Sequence, residues 1–131
     1  MRIEEDVKLD FNDVLIRPKR STLVSRKNAE LDRKFTFKYS KHIWKGVPIV
    51  ASNMDHTGTF DMWSVLSSHN MLTALCKFEE YPVDDNILGL SYLMKTIGLD
   101  DDLVFDSPQW LCIDIANGYT ERFIDYINKV R

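Results

Sequence analysis

The chain has few of the residues that mark several classes of protein. Its 131 residues include only 2 cysteines, 4 prolines and 5 glycines. Without a Cys-x-x-Cys pair, two cysteines exclude a disulfide-stapled secreted domain and a zinc-ribbon spacing. Few prolines and glycines, together with 44% apolar residues, exclude a disordered or collagen-like chain. We expect about one domain, with Cys76 and Cys112 as reduced thiols inside apolar segments.

The chain also lacks a strong positive charge and any long hydrophobic run. A net charge of −3 argues against nucleic acid or an anionic membrane as the main partner. The first residues are acidic and have no apolar core of a secretory signal. No apolar stretch approaches the length of a membrane span. We therefore expect a cytoplasmic protein with no membrane partner.

What the chain does have is a regular alternation of strand and helix patterns after Gly46. Continuous apolar runs predict strands buried on both faces, at residues 47–51, 71–76, 92–97 and 110–115. Helical patterns follow at 60–68, 84–90 and 121–130, with Thr59 and Thr120 as N-caps. Strands that alternate with helices predict an α/β fold with a parallel sheet. The interval between Ile97 and Trp110 barely fits a crossover helix with both loops, so we expect a helix of one or two turns there, or none.

Residues 1–45 are less regular. We expect an irregular N-terminal arm and basic loop over 1–45, followed by a single incomplete domain over 46–131. The period of two at residues 34–38 is typical of a short surface strand. The positive charges between Arg17 and Arg26 are more often a solvated loop than a binding site.

Polar residues follow the predicted strands at their carboxyl ends, where α/β proteins bind ligands. They lie at 53–55, at 77, at 96–98 and at 114–118. Asp114 stands out because a carboxylate on an apolar strand must be paired or face a site. Residues 53–55 are equally typical of an ordinary turn, and a lysine such as Lys77 at a strand end is more often a surface residue.

No residue defines a reaction by its spacing alone. His56 has the side chain of an acid or base, but no partner stands at a telling distance along the chain. Cys76 lies in an apolar run, where a thiol usually packs rather than reacts. The chain has no phosphate-binding Gly-x-Gly-x-x-Gly, no nucleophile elbow and no metal-ligand spacing.

Four motifs in order carry a resemblance to a known family. They are Leu-Asp-Phe-Asn-Asp-Val-Leu-Ile-Arg-Pro-Lys-Arg-Ser at 9–21, Ser25-Arg26, Val-Pro-Ile-Val-Ala-Ser-Asn-Met-Asp with Gly-Thr-Phe at 47–60, and Cys-Ile-Asp-Ile-Ala-Asn-Gly-Tyr at 112–119. Together they resemble the GMP reductase branch of the IMP dehydrogenase/GMP reductase family.

The resemblance implies a (β/α)8 TIM barrel, of which this chain holds about the first four βα units. Its members use NADPH to reduce GMP to IMP and ammonia, through a cysteine that attacks the purine C2. The resemblance also implies GMP and IMP as ligands, a homotetramer, and a monovalent cation such as potassium at a site outside this chain.

Site residues follow from the resemblance, position by position. The cofactor-binding positions are Ser25, Arg26, Lys77, Thr96, Gly98, Asp114, Ile115 and Ala116, with Ser25 and Arg26 reaching the cofactor of a neighbouring subunit. The substrate-side wall is Asn53, Met54 and Asp55. No catalytic residue and no metal ligand is implied, because the family's Gly-Pro-Gly-Ser-Val-Cys-Thr-Thr loop does not occur in this sequence.

The sequence also departs from the family pattern. Cys76-Lys77-Phe78 replaces the usual His-Lys-His, and His56-Thr57 replaces the usual Thr-Val pair. Half a barrel leaves sheet edges unpaired, so we expect the isolated chain to be marginally stable or aggregation-prone, and not to reduce GMP. The alternative is a non-catalytic half-barrel that binds nucleotide or associates with a complete enzyme. IMP dehydrogenase fits less well, because the segment between Lys77 and Trp110 is too short for its regulatory domain.

Overall fold

A computed structural model of the chain describes residues 3–80, 91–101 and 110–130. A hairpin precedes a four-stranded sheet with two helices. The strands are β1 (Arg33–Thr36), β2 (Ile43–Gly46), β3 (Val50–Ala51), β4 (Leu72–Ala74), β5 (Leu93–Ile97) and β6 (Trp110–Ile113), and the helices are α1 (Phe60–Ser67) and α2 (Glu121–Val130). The predicted α/β class is confirmed. The helix predicted at 84–90 lies outside the described residues.

The sheet is parallel throughout and its strands follow chain order, β3-β4-β5-β6. All four predicted strands form, each shorter than its apolar run. The predicted burial is confirmed for the inner strands β4 and β5, where Leu75 and Leu93 are fully buried. It is wrong for the outer strands: Val50 of β3 is 49% exposed and β6 is only half-buried, because each has a neighbouring strand on one side only. This order of neighbouring strands is compatible with part of a closed barrel.

Both helices begin where the sequence predicts. The Met62 amide donates to Thr59 Oγ1 at 3.1 Å, and the Phe123 amide donates to Thr120 Oγ1 at 3.3 Å. These threonine hydroxyls cap the first turns of α1 and α2, and the Phe123 amide also donates to the Thr120 carbonyl at 3.1 Å. Helix α1 then packs against β4.

The predicted irregular arm is wrong over its last part, because β1 and β2 form an antiparallel hairpin there with Phe35 opposite Trp44. The strand predicted at 34–38 corresponds to β1. The sequence predicts β2 only weakly. Its two buried positions are Trp44 and Gly46, and glycine adds no apolar side chain to the alternating pattern of a strand. From residue 3 to residue 32 the regular elements are two short 3-10 helices, Phe11–Asp13 and Arg26–Asn28.

The hairpin covers the amino ends of two sheet strands. The Trp44 ring packs edge-on against Tyr92, just before β5, at 6.2 Å between centroids. Phe37 packs edge-on against Trp110, the first residue of β6, at 5.0 Å. The Tyr92 hydroxyl also donates to the Lys45 carbonyl at 2.9 Å. The amino ends of β5 and β6 are therefore closed by the hairpin.

The N-terminal arm carries apolar side chains that the described structure leaves in solvent. Leu15, Ile16 and Val24 are each 97% exposed. Apolar surface of this kind is typical of an association surface. Among the described helices, neither α1 nor α2 is long and apolar enough to cross a membrane.

Candidate functional site

Two polar side chains from opposite edges of the sheet meet at its carboxyl end. Asn53 Nδ2 donates to Asp114 Oδ2 at 2.7 Å, and the two residues follow β3 and β6, the outer strands. In a flat sheet, strands three positions apart lie about 14 Å from each other. Two such short side chains do not span that distance. The sheet therefore curls, and its carboxyl ends converge.

This contact resolves the prediction for Asp114. The carboxylate is paired, as an apolar strand requires, but it is exposed at the mouth of the curled sheet and not buried. Its neighbour Ile115 is half-buried and Ala116 is exposed. Asp114 thus lies directly after β6, at the strand end, and its hydrogen-bond partner is Asn53 from the other edge of the sheet.

The loop after β3 is tied to the end of β4. Cys76 Sγ lies 3.2 Å from Asp55 Oδ1, where the thiol donates to the carboxylate. The Cys76 amide also donates to the Gly58 carbonyl at 2.7 Å, while Met54 is 66% exposed beside it. Cys76 and Cys112 are both free and half-buried, so neither lies in the core as the sequence predicted.

Lys77 and Gly98, which follow β4 and β5, converge on one carboxylate. Asp101 Oδ2 accepts from the Gly98 amide at 2.6 Å and lies 2.9 Å from Lys77 Nζ. The bond from the Gly98 amide, and then that from Lys77, holds the pKa of Asp101 below its ordinary value of 3.8. Sequence reasoning missed Asp101 because it lies in an acidic run, although an acidic residue three positions after a strand-end glycine is a usable signal.

The lowered pKa of Asp101 predicts an acid-sensitive contribution to stability. Because the folded state favours the ionised carboxylate, this contribution is present above pH 3.8, the ordinary pKa of the group. It is lost as the pH falls through the lower pKa of Asp101 in the folded protein. Wild type is expected to be more stable than Asp101→Asn at about pH 6, and the difference is expected to shrink at about pH 3. Urea unfolding at both pH values measures it.

Asp100→Asn is the matched control for this prediction. Asp100 pairs with Arg122 instead of the Gly98 amide and is largely exposed. A difference between wild type and Asp101→Asn that stays constant from pH 6 to pH 3 would contradict the assignment.

Three other predicted residues stand apart from these contacts. Thr96 is 5% exposed on β5, and its hydroxyl has no partner among the described residues. Ser25 accepts from the Lys27 amide at 3.3 Å and so caps the short 3-10 helix that begins at Arg26. Within the described ranges, neither Ser25 nor Arg26 has a hydrogen bond to the strand ends. The structure therefore brings residues 53–55, 76–77, 98 and 114 together at the carboxyl end of the sheet. Residues 25 and 26 lie apart from them, on the N-terminal arm.

Comparison with known proteins gives a consistent set of relatives. No protein-family model matches the chain. Curated proteins named GMP reductase match it over its whole length: from Citrobacter koseri at 48% identity over 148 residues, from Photobacterium profundum at 46% over 153, and from Shewanella pealeana at 44% over 146. In each case the chain spans 42% of the relative's length. Since each alignment is longer than 131 residues, the relatives carry residues in the matched region that this chain lacks.

Proposed function

Because the chain belongs by sequence to the GMP reductase family, matching 42% of the length of its relatives, we propose that it forms the cofactor side of a GMP reductase. The reaction is the NADPH-dependent reductive deamination of GMP to IMP and ammonia. The name of the relatives supports the reaction class, and the polar carboxyl end of the sheet supports the position of the site. NADPH, when bound, supplies the hydride to the purine.

The proposal includes a barrel of which this chain supplies four strands. Following the strand pairing, Asn53 is level with Leu111, yet it bonds to Asp114, three residues further along. In an eight-stranded barrel of shear 8, residues at one height shift by about one residue per strand. The offset across three strand pairs therefore matches the curvature of such a barrel.

The observation that carries the proposal is the convergence of Lys77 and Gly98 on one carboxylate oxygen. That oxygen stands in for an oxygen of a phosphate group, since an ammonium and a backbone amide are typical phosphate donors. NADPH carries such groups, so the two donors fit it. In this proposal Lys77 and Gly98 hold the cofactor, with Thr96 behind them on β5. Asp114, Ile115 and Ala116 line it from the end of β6.

The substrate side of the proposed site has a wall but no nucleophile. Asn53, Met54 and Asp55 form that wall at the end of β3, where Asn53 is oriented by Asp114. The Cys76 thiol donates to Asp55, and neither cysteine lies in the family's glycine-rich cysteine loop. Hydride transfer to a covalent purine therefore needs a cysteine from elsewhere, and we propose that this chain does not reduce GMP alone.

Fragment complementation tests the proposal. The chain is co-expressed with the part of the Citrobacter koseri relative that it does not match, and GMP-dependent NADPH oxidation is followed at 340 nm. We expect turnover in the mixture and none from either piece. Turnover by this chain alone would contradict the assignment of the nucleophile to another segment.

The arm fits the oligomer of the proposed family. We assign Ser25 and Arg26 to the cofactor of a neighbouring subunit in a homotetramer, because both are exposed and lie apart from the strand-end contacts. The monovalent cation of the family is assigned to a site outside this chain.

A second candidate function is a non-catalytic half-barrel that associates with a complete reductase. The exposed apolar side chains of the arm, such as Leu15 and Ile16, favour it. Co-purification with a full-length relative tests it, and failure to associate at micromolar concentration removes it.

A further inference from the structure

Asp101 occupies the two donors that the proposed function gives to the cofactor. We propose that the Lys77 ammonium and the Gly98 amide form an anion subsite, that Asp101 fills this subsite in the free protein, and that a ligand phosphate binds by displacing the Asp101 carboxylate. The inference rests on the proposed function only for the choice of phosphate as the ligand class. It makes Asp101 an internal competitor that sets the affinity of the subsite.

The geometry distinguishes the subsite from an ordinary surface ion pair. Both donors reach the same oxygen, and the amide bond at 2.6 Å is shorter than the lysine contact at 2.9 Å. An amide cannot rotate away as a side chain can, so one donor is fixed by the backbone after β5. The lysine follows β4, the neighbouring strand, which places the second donor beside the first.

Space around Gly98 is limited on the lysine side. A Cβ at this position would lie 3.1 Å from Lys77 Nζ and 3.5 Å from Asp101 Oδ2. A side chain at residue 98 would therefore press on the ammonium that the anion must reach. The side chains of Lys77 and Asp101 remain 41% and 34% exposed, so a ligand reaches both from solvent.

Helix α2 holds the segment that carries the competing carboxylate. Arg122 pairs with Asp100, and the Tyr126 hydroxyl donates to the Asp101 carbonyl at 3.4 Å. These contacts anchor the backbone and leave the Asp101 side chain as the moving part. Displacement is then a local rotation of one side chain, which a phosphate with more than one charge drives by taking both donors.

Inorganic phosphate is the probe, without nucleotide. The chain is titrated at constant ionic strength and about pH 7.5, and binding is read from the amide cross-peak of Gly98 and by calorimetry. Asp101→Asn removes the charge with the same side-chain shape, and Asp100→Asn makes the same charge change at a residue that pairs with Arg122. Affinity is expected to rise about two- to fivefold in Asp101→Asn, since an exposed ion pair contributes this much, and to change less than about twofold in Asp100→Asn.

Lys77→Met in the Asp101→Asn background is expected to remove the gain. Equal phosphate affinity of Asp101→Asn and Asp100→Asn would overturn the proposal and leave a simple ion pair. If Asp101→Asn does not fold, the wild-type titration decides: the Gly98 amide and the Asp101 carboxyl carbon must shift in one saturable event, and a shift of neither overturns the proposal.

Failure of this proposal can be distinguished experimentally from failure of the proposed function. Phosphate binding with the expected dependence on Asp101, but no NADPH binding, would defeat the cofactor assignment and keep the subsite. NADPH binding that is indifferent to Asp101→Asn would defeat the subsite and keep the cofactor assignment.

Discussion

Gly58→Ala is expected to unfold the carboxyl end of the sheet. A Cβ at this residue would lie 2.4 Å from the Ala74 carbonyl oxygen, 2.7 Å from the Cys76 amide nitrogen and 2.9 Å from Asn53 Cα. All three atoms are backbone, so no side chain can move aside. The substitution also strains the bond from the Cys76 amide to the Gly58 carbonyl. We expect a loss of about 3 kcal/mol, which is a large part of the stability of a small domain.

Urea unfolding followed by far-UV circular dichroism measures this loss. Gly118→Ala is the matched control, because the nearest atom to a Cβ there is on the Phe123 ring at 3.7 Å, an ordinary contact. A similar unfolding midpoint for Gly58→Ala and Gly118→Ala would contradict the tight packing at the site.

Trp44→Ala is expected to detach the hairpin from the sheet. Trp44 is 8% exposed, packs edge-on against Tyr92 and stacks on Phe35 at 5.7 Å between centroids. Removal of a buried indole costs about 3–5 kcal/mol. The loss is measured from the denaturant midpoint, and hydrogen exchange of the Lys45 and Gly46 amides reports whether the hairpin opens first.

Trp44→Phe separates packing from hydrogen bonding. The Trp44 indole nitrogen is buried and has no partner among the described residues, so phenylalanine removes an unsatisfied donor and keeps most of the aromatic contact. We expect this variant to lose well under half of what Trp44→Ala loses. Equal losses in both would mean that the indole nitrogen is essential, contrary to the structure.

The strands and helix starts could be predicted because their signals are local. The apolar run at 71–76 predicts a buried strand directly, and Thr59 is a capping residue ahead of a helical apolar pattern. The hairpin could be predicted only in part, since Gly46 fills a buried position of β2 without an apolar side chain. Gly46 is buried against the Asn70 carbonyl, whose oxygen would lie 2.4 Å from a Cβ at residue 46. Asn70 is distant from Gly46 in the sequence, so no local pattern indicates this contact.

The candidate site could also be predicted only in part. That Asn53, Lys77, Gly98 and Asp114 lie at one end of the sheet follows from the direction of parallel strands. Which of them touch does not follow, because the Asn53–Asp114 contact depends on the curl of the whole sheet. Asp101 was missed for a related reason: Gly98 lies three residues from it, but its second partner, Lys77, follows a different strand and is distant in the sequence.

Titration of NADPH against wild type, Lys77→Ala and Lys45→Ala tests the central claim, that this chain forms the cofactor side of a reductase site. Lys45→Ala is the matched control: it removes the same charge from β2, in the hairpin that covers the amino end of the sheet. Cofactor fluorescence is expected to saturate with wild type and with Lys45→Ala at similar affinity, and to weaken about tenfold or more with Lys77→Ala, since a charge-assisted phosphate contact is lost. Equal binding by wild type and Lys77→Ala, or no binding by either, would contradict the claim.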